Sequence, residues 1–258
     1  MHSWDLTGKT AVVCGASQGM GQATAVLMAE RGARIVALAR NEEKLKQLMT
    51  ELKGQGHKYF VVDLGNTEEL QKVLPAIANE KPTILVNNSG GPKGGPLLEA
   101  SISEFKNPLD AHLIASHLLM QTCVPSMKAA KYGRIINIIS TSVKTPIPGL
   151  GVSNTVRGAM GNWAKTMAGE LAPFGITVNN MLPGYIRTGR FESIRDASAQ
   201  KQNISAEEAE AKFAGAIPMG RVGEPNEAAE AIAFLASPAA SYITGINVPV
   251  DGGRTPSL

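Results

Sequence analysis

The segment Gly15-Ala16-Ser17-Gln18-Gly19-Met20-Gly21 is the first whose residue types suggest chemistry. Glycines at this spacing permit a tight turn, close approach of backbone to a pyrophosphate, and tight packing of the next helix on the preceding strand. A helix opening at Met20 would turn unpaired N–H groups and the positive end of its dipole towards the phosphates. The same glycines could also form a turn with no ligand; their place between a first strand and a first helix is what favours a dinucleotide. The second strand ends in Ala39-Arg40-Asn41. An acidic residue there would bond the ribose 2′-hydroxyl of NAD. Arg40, with Ser17 as a second donor, suits the 2′-phosphate of NADP instead, so NADP is expected over NAD. The plainer reading of Arg40 is an exposed arginine opening the next helix.

The elements that must position these residues can be read from periodicity. Short runs, apolar on both faces, occur at Thr10–Cys14, Arg34–Ala39, Lys58–Val62, Thr83–Val86, Arg134–Ile139, Ile176–Met181 and Ile246–Val250. This is the pattern of strands covered by helices on both sides. Helical patterns separate them at Met20–Arg31, Glu42–Lys53, Thr67–Ala78, Pro108–Ala130, Asn154–Ala172 and Asn226–Ala236. The alternation predicts an α/β fold, a doubly wound Rossmann parallel sheet of about seven strands with helices on both faces, in one domain over residues 1–258. Residues 190–215 break the rhythm. They are polar and helix-prone, with a capping box at Ser205-Ala206-Glu207-Glu208. Because they follow a strand's carboxyl end, where clefts of open α/β sheets lie, a flap or lid is expected over a plain surface helix.

Composition excludes other classes. The formal net charge is +3 with basic residues dispersed, too little for a nucleic-acid footprint. No apolar run reaches membrane-span length, and Met1-His2-Ser3-Trp4-Asp5-Leu6 lacks the basic-then-apolar order of a signal peptide. The two cysteines, Cys14 and Cys123, lie in apolar segments and read as small buried hydrophobes in a reducing compartment. A cytoplasmic protein with no membrane or nucleic-acid partner is expected. His2, His57, His112 and His117 do not form a ligand pattern, so no metal is expected.

Taken in order, the motifs resemble the classical short-chain dehydrogenase/reductase family over essentially the whole chain, most closely its 3-oxoacyl-carrier-protein reductase-like branch. Gly15, Gly19 and Gly21 resemble the cofactor glycines. Asp63, followed by Leu64, resembles the adenine-contacting position, and Asn87-Asn88-Ser89-Gly90 resembles the Asn-Asn-Ala-Gly signature. Pro183-Gly184-Tyr185-Ile186-Arg187-Thr188 resembles the carboxamide-holding Pro-Gly segment, and Tyr242 to Gly253 the closing strand. The resemblance implies hydride transfer between a nicotinamide and a carbonyl/alcohol substrate. It implies cofactor contacts from Gly15, Ser17, Gln18, Gly19, Met20, Gly21, Arg40, Asp63, Leu64, Asn88, Ser89, Gly90, Arg157, Pro183, Gly184, Ile186 and Thr188.

The family's catalytic set of Asn, Ser, Tyr and Lys survives here only in part. Ser140 matches the serine, but Ser153 stands in the tyrosine slot, Arg157 in the lysine slot and His112 in the asparagine slot. None of Tyr59, Tyr132, Tyr185 or Tyr242 falls at the proton-donor position. Ser153 can donate a hydrogen bond but is a poor general acid, and Arg157 keeps the charge while being a poor proton relay. His112, Tyr185 and Lys144 are candidate replacement acids, each with a plainer alternative: buried, packed against cofactor or lid, or on the surface. Two functions are therefore carried forward. One is an NADP-dependent oxidoreductase acting on a carbonyl or alcohol, with a 3-oxoacyl thioester among the candidates. The other is a dinucleotide-binding pseudoenzyme, a sensor or a subunit of a mixed oligomer. Lys93, Arg187 and Arg190 near the flap could attract an anionic substrate or simply face solvent. The resemblance also implies a homotetramer or dimer built on the two long helices and the closing strand.

Overall fold

The computed structural model describes residues 4–257; Met1, His2 and Ser3, on which the leader reading partly rests, and Leu258 lie outside the described residues. The strands are β1 (Thr10–Cys14), β2 (Arg34–Ala39), β3 (Lys58–Val61), β4 (Ile84–Asn87), β5 (Gly133–Ile138), β6 (Ile176–Pro183) and β7 (Asn247–Val250). They form one parallel sheet in the order β3-β2-β1-β4-β5-β6-β7. The chain reverses its direction of travel between β1 and β4, which opens a crevice beyond their carboxyl ends.

The helices are α1 (Gly19–Glu30), α2 (Glu42–Glu51), α3 (Thr67–Asn79), α4 (Ile102–Leu109), α5 (Ala115–Ala130), α6 (Gly151–Leu171), α7 (Gly189–Gln202), α8 (Ala206–Gly215) and α9 (Pro225–Ala236). Alternation along each strand divides the core into two layers. Ala11, Val13, Ile35 and Val86 pack with Met28 of α1, Leu45 of α2 and Ile232 of α9. Val12, Cys14, Val36 and Leu85 face Leu70 of α3, Leu119 and Met127 of α5, and Ala164 of α6. Cys14 and Cys123 are buried and unbonded, and burial pushes the Cys14 thiol up to about 12.

One expected element is corrected. The helix read as Pro108–Ala130 is two helices, α4 and α5, joined by a π-helical turn at Asp110–Ile114. A capping box opens α4, with the Ser101 amide donating to Glu104 Oε2 at 2.8 Å, so Pro108 falls in its last turn rather than opening the long helix. Proline has no N–H to continue the helical ladder, and the chain widens into the π turn two residues later. That turn carries His112.

The 190–215 segment is the helical pair α7–α8, and the Ser205 capping box opens α8 as its sequence indicates. Tyr185, Phe191 and Phe213 stack as a trio beneath it, with centroids 4.8–5.9 Å apart. Arg187, just before α7, pairs with Glu210 of α8 and with Glu224 before α9 at 2.8 and 2.9 Å. Among the described residues, no helix is long and apolar enough to cross a membrane.

Candidate functional site

The glycine loop leaves β1 and enters α1 at the crevice. Gly15 and Gly19 have φ of +60° and +56°, backbone that side chains strain to adopt. A Cβ on Gly21 would stand 2.2 Å from the Gly15 carbonyl oxygen, and one on Gly15 would stand 2.6 Å from Asn88 Nδ2. Asn88 donates to the Cys14 carbonyl at 3.3 Å, drawing the end of β4 against the loop. Across the crevice the Thr188 methyl lies 3.1 Å from where a Gly19 Cβ would be. Gln18 caps α1 by position only, its side chain giving the first turn no hydrogen bond, so those N–H groups face the crevice uncapped.

The second-strand end is basic. Arg40 is largely exposed and rests 3.7 Å from Asp63, whose other oxygen accepts from the Gly65 amide. Lys44, in the first turn of α2, donates to Gln18 Oε1 at 3.1 Å. The sequence reading missed Lys44, because only the packing of α2 against the loop brings it onto Gln18. On the far side, Gly184 packs on Asp251 of the closing segment, where a Cβ would meet backbone at 2.7 Å. Ile186 is buried. Thr188 caps α7, accepting from the Phe191 amide at 3.4 Å.

The remaining site residues lie at the carboxyl ends of β4 and β5. Ser140 follows β5 and accepts from the Ser142 amide at 3.1 Å, which leaves its O–H free to donate elsewhere. Ser153 and Arg157 share a face of α6 one turn apart. Arg157 is 6% exposed and donates from Nη1 to the Ile138 carbonyl at 3.0 Å, while its Nε is buried without a partner. Burial, with Arg190 as a nearby like charge, pushes its pKa down to about 10, still protonated at neutral pH.

His112 and Arg157 line one small pocket together with Asn87, Asn88, Ser89 and Leu64. Ser89 Oγ and His112 Nδ1 form a short hydrogen bond. Burial, reinforced by the Arg157 charge, holds His112 well below its ordinary value, so it is a neutral imidazole. A neutral imidazole held this way is a weak source of protons at neutral pH. Tyr185 is occupied by the aromatic trio and by Arg254, 4.5 Å from its ring. Lys144 is half-buried in the turn after Ser140. No group of three or more His, Cys, Asp or Glu converges among the described residues.

A row of amides runs beneath the site. Asn87 donates to Asn137, Asn137 to Asn180 and Asn180 to Asn247, each at 2.8 Å, across β4, β5, β6 and β7. The pairs are register partners in the sheet, which no reading of separate strands could reveal.

A cradle of glycines too close for side chains, an uncapped helix N-terminus and a switch point together describe a dinucleotide site, and residues 15–255 match the family model described as Enoyl-(Acyl carrier protein) reductase. The chain belongs to the short-chain dehydrogenase/reductase family. It is 36% identical over 253 residues to the 3-oxoacyl-acyl-carrier-protein reductase FabG of Vibrio cholerae, covering 96% of this chain and 98% of that one. A tropinone reductase homolog of Arabidopsis thaliana is 33% identical, with 98% and 95% covered. The L-sorbose reductase of Gluconobacter frateurii, solved with NADPH and L-sorbose, superposes with a TM-score of 0.93 at 28% identity, over 99% of this chain and all of that one.

Proposed function

We propose that this chain is an NADP-dependent oxidoreductase transferring a hydride between nicotinamide and a carbonyl/alcohol substrate, with 3-oxoacyl thioesters among the candidate substrates. The observation that carries the reading is the cradle, where Gly15 and Gly21 leave no room for a side chain, Gly19 takes a positive φ, and α1 presents uncapped N–H groups. Gly15 to Gly21 would hold the pyrophosphate, and Asp63 and Leu64 the adenine. Asn88, Ser89, Gly90 and Arg157 would hold the riboses, and Pro183, Gly184, Ile186 and Thr188 the carboxamide. Arg40, Ser17 and Lys44 form the basic corner that suits a 2′-phosphate, and the NADPH bound by the sorbose reductase supports this choice.

When bound, the nicotinamide would supply or accept the hydride. Ser140, its proton uncommitted, donates to the reacting oxygen and orients it. Ser153, whose hydroxyl has no partner within the described chain, is the second donor, with solvent replenishing its proton. A serine lacks the acidity of a tyrosine, whose ordinary pKa is about 10, so proton delivery is slow; a general acid ordinarily contributes about 10²–10⁴-fold. The test is NADPH consumption across acyl thioesters, diketones, cyclic ketones and oxo acids, and no consumption by any of them counts against turnover.

The alternative, a dinucleotide binder without efficient turnover, draws on His112 and Arg157 both being locked in place, so neither serves as a proton relay. Ser153→Tyr combined with Arg157→Lys separates the two. A large gain from near-zero activity marks the binder; a loss of existing activity marks an adapted enzyme. A homotetramer is proposed for the assembly, and a stable monomer in sedimentation would refute it.

A further inference from the structure

Arg157 is an unusual buried cation for this chain. The other deeply buried arginine, Arg134, is caged: its guanidinium donates to the carbonyls of Ser237, Gly133 and Gly175 and lies 4.2 Å from the Tyr132 ring. Half-buried Arg34 has the carboxylate of Glu80. Arg157 has neither arrangement. One carbonyl takes Nη1, Nε is buried and unpartnered, and Nη2 is directed at the loop after β4, 3.9 Å from where a Cβ on Gly91 would sit.

The opposite wall of this space carries a second unneutralised cation. Arg190, at the start of α7, reaches across the cleft and donates to the Pro92 carbonyl of the same loop at 2.9 Å. It forms no ion pair with any described residue, whereas its neighbours Arg187 and Arg195 are both paired with acids. Arg187, a candidate for attracting an anion on sequence grounds, is thus already spent. Arg190 is close enough to act as a like charge on Arg157. Among the described residues, no acidic one lines the pocket that Arg157 borders. Two guanidinium groups converging on one loop, one of them buried, require an anion that this part of the chain does not supply.

We infer that the substrate carries a carboxylate, held between Arg157 and Arg190 beside the reacting carbonyl. The planar guanidinium groups match a carboxylate in charge and geometry. A ribose hydroxyl held by Arg157, as the proposed cofactor contacts have it, would take one of its free nitrogens and leave both charges uncompensated, so the carboxylate is held beside it. The Arg190 bond to Pro92 would then be a resting contact, exchanged for the substrate's oxygen as α7 settles on the cleft. The inference rests on the oxidoreductase reading, and it narrows the substrate to oxo acids and their hydroxy-acid partners.

Two measurements in sequence test it. NADPH binding is titrated first by fluorescence; its absence refutes the oxidoreductase reading itself. The NADP-loaded protein is then titrated calorimetrically with a set of 2-oxo and 3-oxo acids, each paired with its methyl ester. At least one acid is expected to bind tenfold or more tightly than its ester. Arg190→Gln should abolish that difference, and Arg190→Lys should restore part of it. No acid exceeding its ester, with NADPH bound normally, overturns the carboxylate and leaves the oxidoreductase reading standing. An Arg190→Gln variant that weakens NADPH and spares acid selectivity also overturns it, by placing Arg190 on the cofactor. Inorganic phosphate binding more tightly than acetate overturns the carboxylate in favour of a phosphate-bearing substrate.

Discussion

Arg40 and His112 show how a single side chain changes meaning with its surroundings. Arg40 alone could be any exposed arginine, but Lys44 on Gln18 makes the corner doubly basic. A hydrogen bond to a charged partner contributes about 1.5–3 kcal/mol, so Arg40→Ala should weaken NADPH roughly 10–100-fold while leaving NADH within about threefold. Fluorescence titration of both cofactors reads the difference, and equal losses would place Arg40 outside the 2′-phosphate site. His112 illustrates the opposite case, a titratable group removed from titration. Folding lowers its pKa below the ordinary value near 6.5, so the neutral form belongs to the native state. Its contribution to stability is complete above pH 6.5 and is lost as pH falls from there through the lower folded value. Melting temperature measured from pH 7 to pH 5 should fall less steeply for His112→Asn than for the unaltered chain. No ionisation of His112 should appear in the activity profile near pH 6.5.

At the scale of elements, the α7–α8 pair is fastened on one side and lightly held on the other. Phe213 contacts both Tyr185 and Phe191, and Arg187 adds two partly exposed ion pairs of little individual weight. The cleft side shows the Arg190–Pro92 contact. Phe213→Ala should remove about 2–3 kcal/mol of local stability, enough to raise transient opening tenfold or more. Trypsin cleavage at Arg190, Arg195 or Lys201 should accelerate accordingly, with a much smaller change in global melting temperature. Unchanged cleavage would show that the trio does not hold this segment. The sequence foretold most elements because two-sided burial makes parallel strands conspicuous and because Ser205-x-x-Glu208 announces α8. The same kind of signal, Ser101-x-x-Glu104, opens α4, so that Pro108, which periodicity alone makes a helix start, falls in its last turn. The glycine cradle was legible because glycine alone satisfies its geometry. The Ser89–His112 bond was not, because it depends on a π turn that re-aims one residue.

At the scale of the whole molecule, the amide row links the switch point to the sheet edge. Asn87, Asn137, Asn180 and Asn247 are register partners across four strands, and their donors all point the same way. Each of the first three stands just below a segment proposed to meet cofactor or substrate: Asn88 to Gly90, Ser140, and Pro183 to Thr188. Fixing their relative height fixes which groups emerge together at the crevice, because a parallel pair slipped by one residue would turn alternate side chains to the wrong face. Hydrogen bonds aligned in one direction polarise one another, and the row ends at Asn87 Oδ1, buried and unpartnered beside the His112 cavity. Asn137→Leu removes the middle member, leaving the Asn87 amide and the Asn180 oxygen buried without partners. At about 1–3 kcal/mol for each orphaned group, the loss should be roughly 2–5 kcal/mol, read as a lower denaturant midpoint. Leucine at Asn137 combined with apolar residues of similar shape at Asn87 and Asn180 should recover much of that stability, because fewer polar groups are stranded. Cofactor binding should not recover with it, since Asn87 adjoins Asn88, which ties β4 to the glycine loop. Stability and NADPH affinity returning together in the triple variant would reduce the row to a packing feature; their separation would show that the sheet's interior sets the geometry of the site above it.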